Sequence, residues 1–189
     1  MESFAGTSID CWGGGSGDAP SITPRGLVQV HPRVMAGPDL MLRPYAAADE
    51  EVAIELWRRS WQHAYPHIDF TARLSWWRER WRKELAPKTS ITIAERASEV
   101  LGFLTIDPAT GYLDQIVVAP EAWGFGVAEA LLAEAKRISP EKIELHVNQD
   151  NARAIRFYEK HGFKITGESK NPISGRPVFA MRWAADHGG

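Results

Sequence analysis

The chain has 189 residues, of which 44% are hydrophobic, and its 22 basic and 24 acidic side chains give a net charge of −2. This balance offers no general attraction for nucleic acid or for an acidic membrane surface, so we expect neither as a partner. The single cysteine, Cys11, excludes an internal disulfide and is typical of a reducing compartment. Because we find no apolar run near the ~20 residues of a membrane span and no signal-peptide pattern, we expect a cytoplasmic protein.

The first 39 residues differ from the rest of the chain in composition. They contain the run Gly13-Gly-Gly-Ser-Gly17 and prolines at positions 20, 24, 32 and 38, which is typical of flexible segments. We therefore predict a flexible N-terminal extension over residues 1–39, in which 26–30 is a candidate edge strand. The remaining length suits one folded domain, which we assign to residues 40–185.

The first half of that domain carries both helix and strand signals. Asp49 is a helix N-cap, followed by acidic residues in the first turn and arginines in the last, the distribution that the helix dipole favours. Apolar residues recur at helical spacing between Leu74 and Leu85, which predicts a second helix. The predicted elements are a strand at 41–45, a helix from 49 that ends in a loop or broken helix over 61–67, a helix at 71–85, and a hairpin of strands 90–94 and 100–106.

The second half predicts two strand–helix units and a closing pair of strands. Apolar side chains alternate along 142–147, as in a strand with one buried face. Gly162 follows the last helical pattern, where a helix typically stops. The predicted elements are a strand at 112–118, a helix that ends at 138, a strand at 142–147, a helix at 152–161, and antiparallel strands at 163–168 and 178–183. This order predicts an α/β fold, in which a mixed sheet carries helices on both faces.

The junction between the strand at 112–118 and the next helix carries a Gly-x-Gly turn, Gly124-Phe-Gly126. A strand that passes through such a turn into a helix presents unpaired backbone N–H groups at the positive end of the helix dipole, which favours a phosphate. A dinucleotide-binding fingerprint would need glycine where this chain has Glu129, and a P-loop would need Gly-Lys-Ser/Thr, which is absent. A tight turn without a ligand stays open at this point.

A second segment narrows the choice. Asn151 precedes the helix predicted at 152–161 and Tyr158 lies within it, seven residues later. This spacing places both on one helical face, about 10 Å apart along the axis. Two polar groups in line on one face suit a long, thin ligand, although Asn151 also has an ordinary role as a helix cap.

The two motifs together resemble a known family. Val118-x-Pro-x-x-Trp-Gly-x-Gly-Val-Ala128, followed by Asn151-x-x-Ala154-x-x-Phe157-Tyr158-x-x-x-Gly162-Phe163, is similar to the GNAT superfamily of acyl-CoA-dependent N-acyltransferases. The resemblance covers about residues 40–183. It implies the GNAT-like fold, a central, mostly antiparallel sheet that is splayed at the coenzyme A site and has helices on both faces.

The resemblance also implies which residues hold acetyl-CoA. The amides of the turn bind the pyrophosphate, the strand that ends at Val118 pairs with the pantetheine arm, Asn151 contacts that arm, and the Tyr158 hydroxyl meets the thioester sulfur. The chain departs from the family at Trp123, where Gln or Arg is usual, so a side-chain charge for the pyrophosphate is missing there. The implied coenzyme-binding residues are Ile116, Val117, Val118, Trp123, Gly124, Phe125, Gly126, Val127, Ala128, Asn151, Ala154 and Tyr158.

Tyr158 and Asp114 are the predicted catalytic residues. By resemblance, Tyr158 stabilises the departing thiolate with a hydrogen bond. A lysine-like amine is mostly protonated at neutral pH, so a base helps the reaction, and family members often have a carboxylate on the strand that holds Asp114. The alternative for Asp114 is an edge-facing or salt-bridged residue. Glu95 and Glu99, at the neighbouring hairpin, are weaker candidates for the base.

The acceptor pocket of the family is shaped by the region after the first helix, which gives Trp61, His63 and Tyr65 as predicted substrate-binding residues. A polar surface loop is the alternative for the histidines. The tryptophans between 57 and 81 are too many for one core face, so we expect some to line the acceptor cleft or a subunit interface. The histidines lack metal-ligand spacing, and we predict no metal.

The predicted activity is transfer of an acetyl group from acetyl-CoA to a primary amine, by direct attack in a ternary complex. The alternative is a catalytically inactive CoA-binding regulatory or interaction module of the same fold. The acceptor, a small molecule or a peptide amine, stays open, as do the acyl chain length and a homodimer. Nucleic-acid binding by the basic run at Arg78, Arg80, Arg82 and Lys83 is disfavoured by the net charge, and we predict a solvated face there.

Overall fold

The computed structural model describes residues 39–172 and 174–185, which form one seven-stranded sheet and the helices packed on it. Residues 1–38 of the predicted extension, with Cys11 and the candidate strand at 26–30, lie outside the described residues. The strands are β1 (Met41–Pro44), β2 (Ser90–Arg96), β3 (Glu99–Asp107), β4 (Tyr112–Val118), β5 (Lys142–Asn148), β6 (Lys164–Lys170) and β7 (Pro177–Ala184). The helices are α1 (Glu50–Ala64), α2 (Leu74–Arg80), α3 (Ala86–Lys88), α4 (Val127–Ile138) and α5 (Ala152–Lys160).

The strand order is β1-β2-β3-β4-β5-β7-β6, and every neighbouring pair except β4 and β5 is antiparallel. The chain crosses from β4 to β5 through α4, and a crossover of this kind is what a parallel pair requires. The predicted α/β class, with a mixed and mostly antiparallel sheet, is confirmed.

Helices cover both faces of the sheet, as predicted. Successive strand residues face opposite sides. A Cβ on Gly102 would lie 3.1 Å from the Val127 side chain of α4, while the next residue, Phe103, makes an edge contact with Trp81 on the other face. The same Cβ would come within 2.7 Å of the Val117 carbonyl oxygen, so only glycine fits there. None of the helices within 39–172 and 174–185 has the length and apolar character needed to cross a lipid bilayer.

The helix expected at 71–85 is interrupted. It comprises a 3₁₀ turn (Thr71–Arg73), α2 and a π-helical segment (Trp81–Leu85), which leads into α3. Pro87 in α3 has no N–H for the carbonyl four residues earlier, which disfavours a regular α-helix at this point. The Ala86 amide instead bonds the carbonyl five residues back. The apolar spacing therefore indicates the buried face but not the hydrogen-bond pattern.

The β2–β3 hairpin is longer than predicted. Its turn consists of Ala97 and Ser98, both in the left-handed region with φ of 47° and 68°. A two-residue turn with positive φ at both positions matches the twist of paired strands, and it usually contains asparagine or glycine. Because neither residue type is present, the sequence pattern indicated a wider turn over 95–99.

Four tryptophans form the centre of the core between α1, α2 and the sheet. Trp57 and Trp77 stack with ring centroids 4.5 Å apart, and Trp61 contacts Trp57 at 6.3 Å. Trp57, Trp61, Trp77 and Trp81 are each at most 1% exposed. These four are therefore core residues rather than parts of an interface, while Trp76 is half-buried beside them.

The basic run on α2 and the π-helical segment is paired with carboxylates. Arg78 and Arg82 form ion pairs with glutamates of α1, and Lys83 pairs with a glutamate one turn earlier. The predicted solvated face is correct for these three residues. It is wrong for Arg80, whose side chain is 5% exposed and pairs with a carboxylate of the sheet.

Candidate active site

The strands β4 and β5 pair at one end and separate along the rest of their length. In the described chain their register consists of one pair, Tyr112 with Glu144, near the start of both strands. The Tyr112 hydroxyl and the His146 Nδ1 atom, 3.0 Å apart, connect the strands at this end. From there the strands separate towards Val118 and Asn148, which leaves an open gap between two backbone edges. The splayed sheet implied by the resemblance is confirmed.

The Gly-x-Gly turn lies at the open end of β4. Gly124 and Gly126 have φ of 81° and 82°, where a Cβ would cause strain, and Gly126 is the N-cap of α4. Within residues 39–172 and 174–185, the amides of Gly126, Val127 and Ala128 have no backbone acceptor, as expected for a first helical turn. The Phe125 amide differs, since it donates to a carbonyl three residues earlier at 3.4 Å. Three available N–H groups at the positive end of a helix fit a phosphate.

The Trp123 side chain connects the turn to the end of β4 through a hydrogen bond. Its indole N–H donates to the Val118 carbonyl at 2.9 Å, and the Ser60 hydroxyl of α1 donates to the same oxygen at 3.0 Å. The indole nitrogen is therefore used by the protein itself. The Val118 carbonyl oxygen thus accepts two hydrogen bonds from the protein itself. Contact of Ile116, Val117 and Val118 with the coenzyme stays a prediction.

A cation lies beside the turn although Trp123 carries none. The Arg153 guanidinium carbon, on α5, lies 4.8 Å from the centroid of the Trp123 ring, within the range of a cation–π contact. Burial lowers the pKa of Arg153, while the Glu129 carboxylate in the first turn of α4 favours its charged form. His63 contacts the same ring edge-on at 4.9 Å. The structure thus brings a positive charge from α5 to the turn.

Asn151 and Tyr158 lie on the buried face of α5. The Asn151 side-chain oxygen accepts from the Ala154 amide at 3.1 Å, so its role as a helix cap is confirmed. Tyr158 is fully enclosed and packs edge-on against Phe157 and Phe163. Contact of Asn151, Ala154 and Tyr158 with a coenzyme stays a prediction.

Asp114 has the salt-bridged environment that was the alternative to a catalytic base. Its carboxylate oxygens accept from the two terminal nitrogens of Arg80 at 3.0 and 2.5 Å, and Oδ1 also accepts from the Gln115 amide at 3.0 Å. Both side chains of the ion pair are at most 5% exposed. Because protein donors occupy this carboxylate, we no longer assign it as the base. Glu95 is also engaged, with Arg43 at 2.8 Å.

The predicted acceptor residues separate in the structure. Trp61 stacks on Tyr65 with centroids 5.7 Å apart, close to the end of β5, whereas His63 faces the Gly-x-Gly turn. The Tyr65 hydroxyl donates to Asp150 at 3.2 Å and accepts from the Asn148 amide at 3.3 Å. Burial raises the pKa of Tyr65 to about 12, so the hydroxyl keeps its proton at neutral pH.

Sequence analysis missed several residues that reach the site from other elements. Ser60 and Arg80 are polar residues within apolar helix faces, next to Trp61 and Trp81, and a polar residue in such a position indicates a buried polar contact. Arg153 lies within the Asn151 motif but carries no distinguishing pattern. Within the described part of the chain, no three His, Cys, Asp or Glu side chains are grouped to hold a metal ion.

The comparison with protein families agrees with the geometry. Residues 51–163, more than half of the chain, match the model of the acetyltransferase (GNAT) family. The chain therefore belongs to this family, as the two motifs predicted, and it is an acyl-CoA-dependent N-acyltransferase.

Individual relatives extend this result. The peptidyl-lysine N-acetyltransferase YjaB of Salmonella typhimurium is 29% identical over 129 residues, which cover 67% of this chain and 85% of the relative. The solution structure of apo YjaB from Escherichia coli superposes with a TM-score of 0.63 at 22% identity, covering 76% of this chain and 97% of that one. The PaiA N-acetyltransferase of Thermoplasma acidophilum, solved with coenzyme A, gives 0.60 at 22% identity, covering 77% and 99%. The two structural matches show a shared fold.

Proposed function

We propose that the protein transfers an acetyl group from acetyl-CoA to a primary amine while both substrates are bound in one ternary complex. The observation that carries this proposal is the set of free amides at Gly126, Val127 and Ala128, at the open end of the β4–β5 gap. An anion site next to two unpaired strand edges fits a ligand with a diphosphate and a long, amide-containing arm. The complex of PaiA with coenzyme A supports the same choice of ligand.

The proposed binding roles follow from position. The amides of Gly126, Val127 and Ala128 bind the diphosphate, and Arg153 adds positive charge beside them. The edge of β4 at 116–118 lines the arm on one side of the gap. The face of α5 that carries Asn151, Ala154 and Tyr158 lines it on the other. The bound coenzyme supplies an activated acetyl thioester at the end of that arm.

The proposed chemical role of the chain rests on Tyr158. Its hydroxyl donates a hydrogen bond to the sulfur as the C–S bond breaks and the new C–N bond forms. A free tyrosine, with a pKa near 10, is a weaker acid than a free thiol, with a pKa near 8.5. Complete proton transfer from Tyr158 to the thiolate is therefore unfavourable, and we propose stabilisation by a hydrogen bond. With Asp114 engaged by Arg80, we assign no side chain as base, and the proton of the attacking amine passes to water.

A CoA-binding module without transfer activity is the second candidate function. The occupied carboxylate of Asp114 and the enclosed position of Tyr158 favour it. The two candidates share the coenzyme site and differ in turnover, so one pair of measurements separates them.

The test is a calorimetric titration with coenzyme A, combined with a thiol-release assay that uses acetyl-CoA and a panel of amines. We expect binding, thiol release that depends on an acceptor, and an enzyme of unchanged mass after incubation with acetyl-CoA alone. Binding without release for any acceptor would establish the inactive module. An acetylated enzyme would contradict the ternary complex, and absence of binding at millimolar coenzyme A would refute the site itself.

Replacing Arg153 with glutamine should weaken coenzyme A binding about tenfold, because one charge-assisted contact of roughly 1.5 kcal/mol is lost. Pantetheine, which lacks the diphosphate, should bind the variant as it binds the parent protein. Titration of both ligands measures the effect. Arg156→Gln is the matched control, since Arg156 is exposed on the same helix. Equal losses in both variants, or equal losses for both ligands, would contradict a role of Arg153 at the diphosphate.

A further inference from the structure

A small aromatic cavity lies at the Asn148 end of the β4–β5 gap. Its volume is about 140 Å³, and Asn148, the last residue of β5, forms part of its wall. Ligand sites for drug-sized molecules measure roughly 300–1,000 Å³, so this cavity admits a group the size of one side chain. Five aromatic residues line it, namely Trp57, Trp61, Tyr65, Phe70 and Trp76.

The charged residues in the cavity wall are both arginines. Arg73 and Arg176 line the cavity, and no carboxylate is part of the described lining. Arg176 pairs with Asp150 at 2.5 Å and lies over the Tyr65 ring at 4.5 Å. Arg73 is half-buried against the Phe70 ring, 5.6 Å from its centroid, and has no ion-pair partner within 39–172 and 174–185. The wall therefore has excess positive charge, which attracts an anion and repels a second cation.

Three residues of the same wall each carry a buried polar atom that has no hydrogen-bond partner among the described residues. These atoms are the indole nitrogens of Trp57 and Trp61 and the side-chain oxygen of Asn148. Each of these residues is at most 2% exposed. Buried polar groups without partners are costly in folded proteins, so their concentration around this cavity needs a physical reason.

We propose that the acceptor of this enzyme is an α-amino acid with an aromatic or large aliphatic side chain, rather than a polyamine or a lysine side chain. The apolar side chain enters the aromatic cavity, the carboxylate binds Arg73, and the amine faces the β4–β5 gap beside Asn148. A polyamine would bring further positive charge towards Arg73 and Arg176. This inference rests on the proposed acetyl transfer. The diphosphate site of that proposal lies at the end of β4, whereas the aromatic cavity lies at the end of β5.

The proposal is tested by binding, which does not require turnover. The tryptophans of the wall provide a fluorescence signal for titration with L-phenylalanine and with phenethylamine, the same molecule without its carboxylate. Loss of one charge-assisted pair corresponds to about 10- to 100-fold in affinity. We expect L-phenylalanine to bind more tightly by this factor. Equal or tighter binding of phenethylamine or spermidine would overturn the proposal, as would absence of L-phenylalanine binding at millimolar concentration.

Variants at Arg73 test whether this residue binds the carboxylate of the amino acid. Arg73→Met should weaken L-phenylalanine binding about 10- to 100-fold and leave phenethylamine unchanged, while Arg73→Lys should retain part of the affinity. Arg82→Gln is the control, since Arg82 is exposed and pairs with α1 instead. Unchanged L-phenylalanine binding in Arg73→Met would overturn the assignment. Coenzyme A titration of each variant separates this failure from failure of the proposed function, because that site should bind normally in all of them.

Discussion

Replacing Tyr158 with phenylalanine is expected to lower turnover by about 10²- to 10⁴-fold, the usual range for a positioned proton donor. The substitution removes one oxygen and keeps the ring that packs between Phe157 and Phe163. Affinity for coenzyme A should stay within a few-fold, because in the proposed complex the diphosphate is bound by the amides at the start of α4. Steady-state thiol release and a coenzyme titration measure the two quantities separately.

Tyr112→Phe is the matched control for this prediction. Tyr112 also carries its hydroxyl into the β4–β5 region, but it contacts His146 at the closed end of the gap. We expect this variant to retain turnover within a few-fold. If both variants lose activity equally, or if Tyr158→Phe keeps full activity, Tyr158 does not act on the leaving group.

Replacing Asp114 with alanine is expected to destabilise the fold by about 3–5 kcal/mol, because it leaves the buried Arg80 guanidinium with only the exposed Glu84 carboxylate, 3.4 Å away, as an ion-pair partner. Urea unfolding monitored by circular dichroism gives the free energy. The double variant Arg80→Met/Asp114→Leu should recover most of this loss, since two apolar residues replace two buried charges. By contrast, Arg78→Ala breaks an exposed ion pair and should cost at most about 1 kcal/mol.

The same variants test whether Asp114 is a base. In the proposed mechanism Asp114 is not a base, so the double variant Arg80→Met/Asp114→Leu keeps most of its turnover per folded molecule. A base would be lost in that variant, and turnover would fall about 10²- to 10⁴-fold despite restored stability. That result would return Asp114 to the catalytic residues.

Local sequence patterns predicted the elements well and their details less well. Alternation along β5 and the cap at Asn151 depend on residues a few positions apart, so the sequence contains all the information needed. The two-residue turn at Ala97 and Ser98 lacks the residues usually found there, and Pro87 changed the end of a helix whose apolar face was correctly identified. The turn departs from local residue preference, whereas the change at Pro87 is a local effect that apolar spacing does not report.

The outcome for Trp123 shows what spacing alone does not contain. From the motif, replacement of a polar residue by tryptophan implied a missing charge. In the fold, the indole binds the Val118 carbonyl, and Arg153 from another helix lies on its ring. A positive charge missing at one position thus lies beside the same turn on Arg153, whose proximity depends on how α5 packs there.

The sequence by itself determined the turn that begins α4, because this turn is built from consecutive residues with left-handed glycines at Gly124 and Gly126. The tertiary structure alone decided the surroundings of Tyr65 and the ion pair of Asp114. Arg80 and Asp114 are 34 residues apart in the chain, and Tyr65 and Asp150 are 85 apart. Contacts over such separations depend on the packing of whole helices against the sheet, a property that no local pattern of residues encodes.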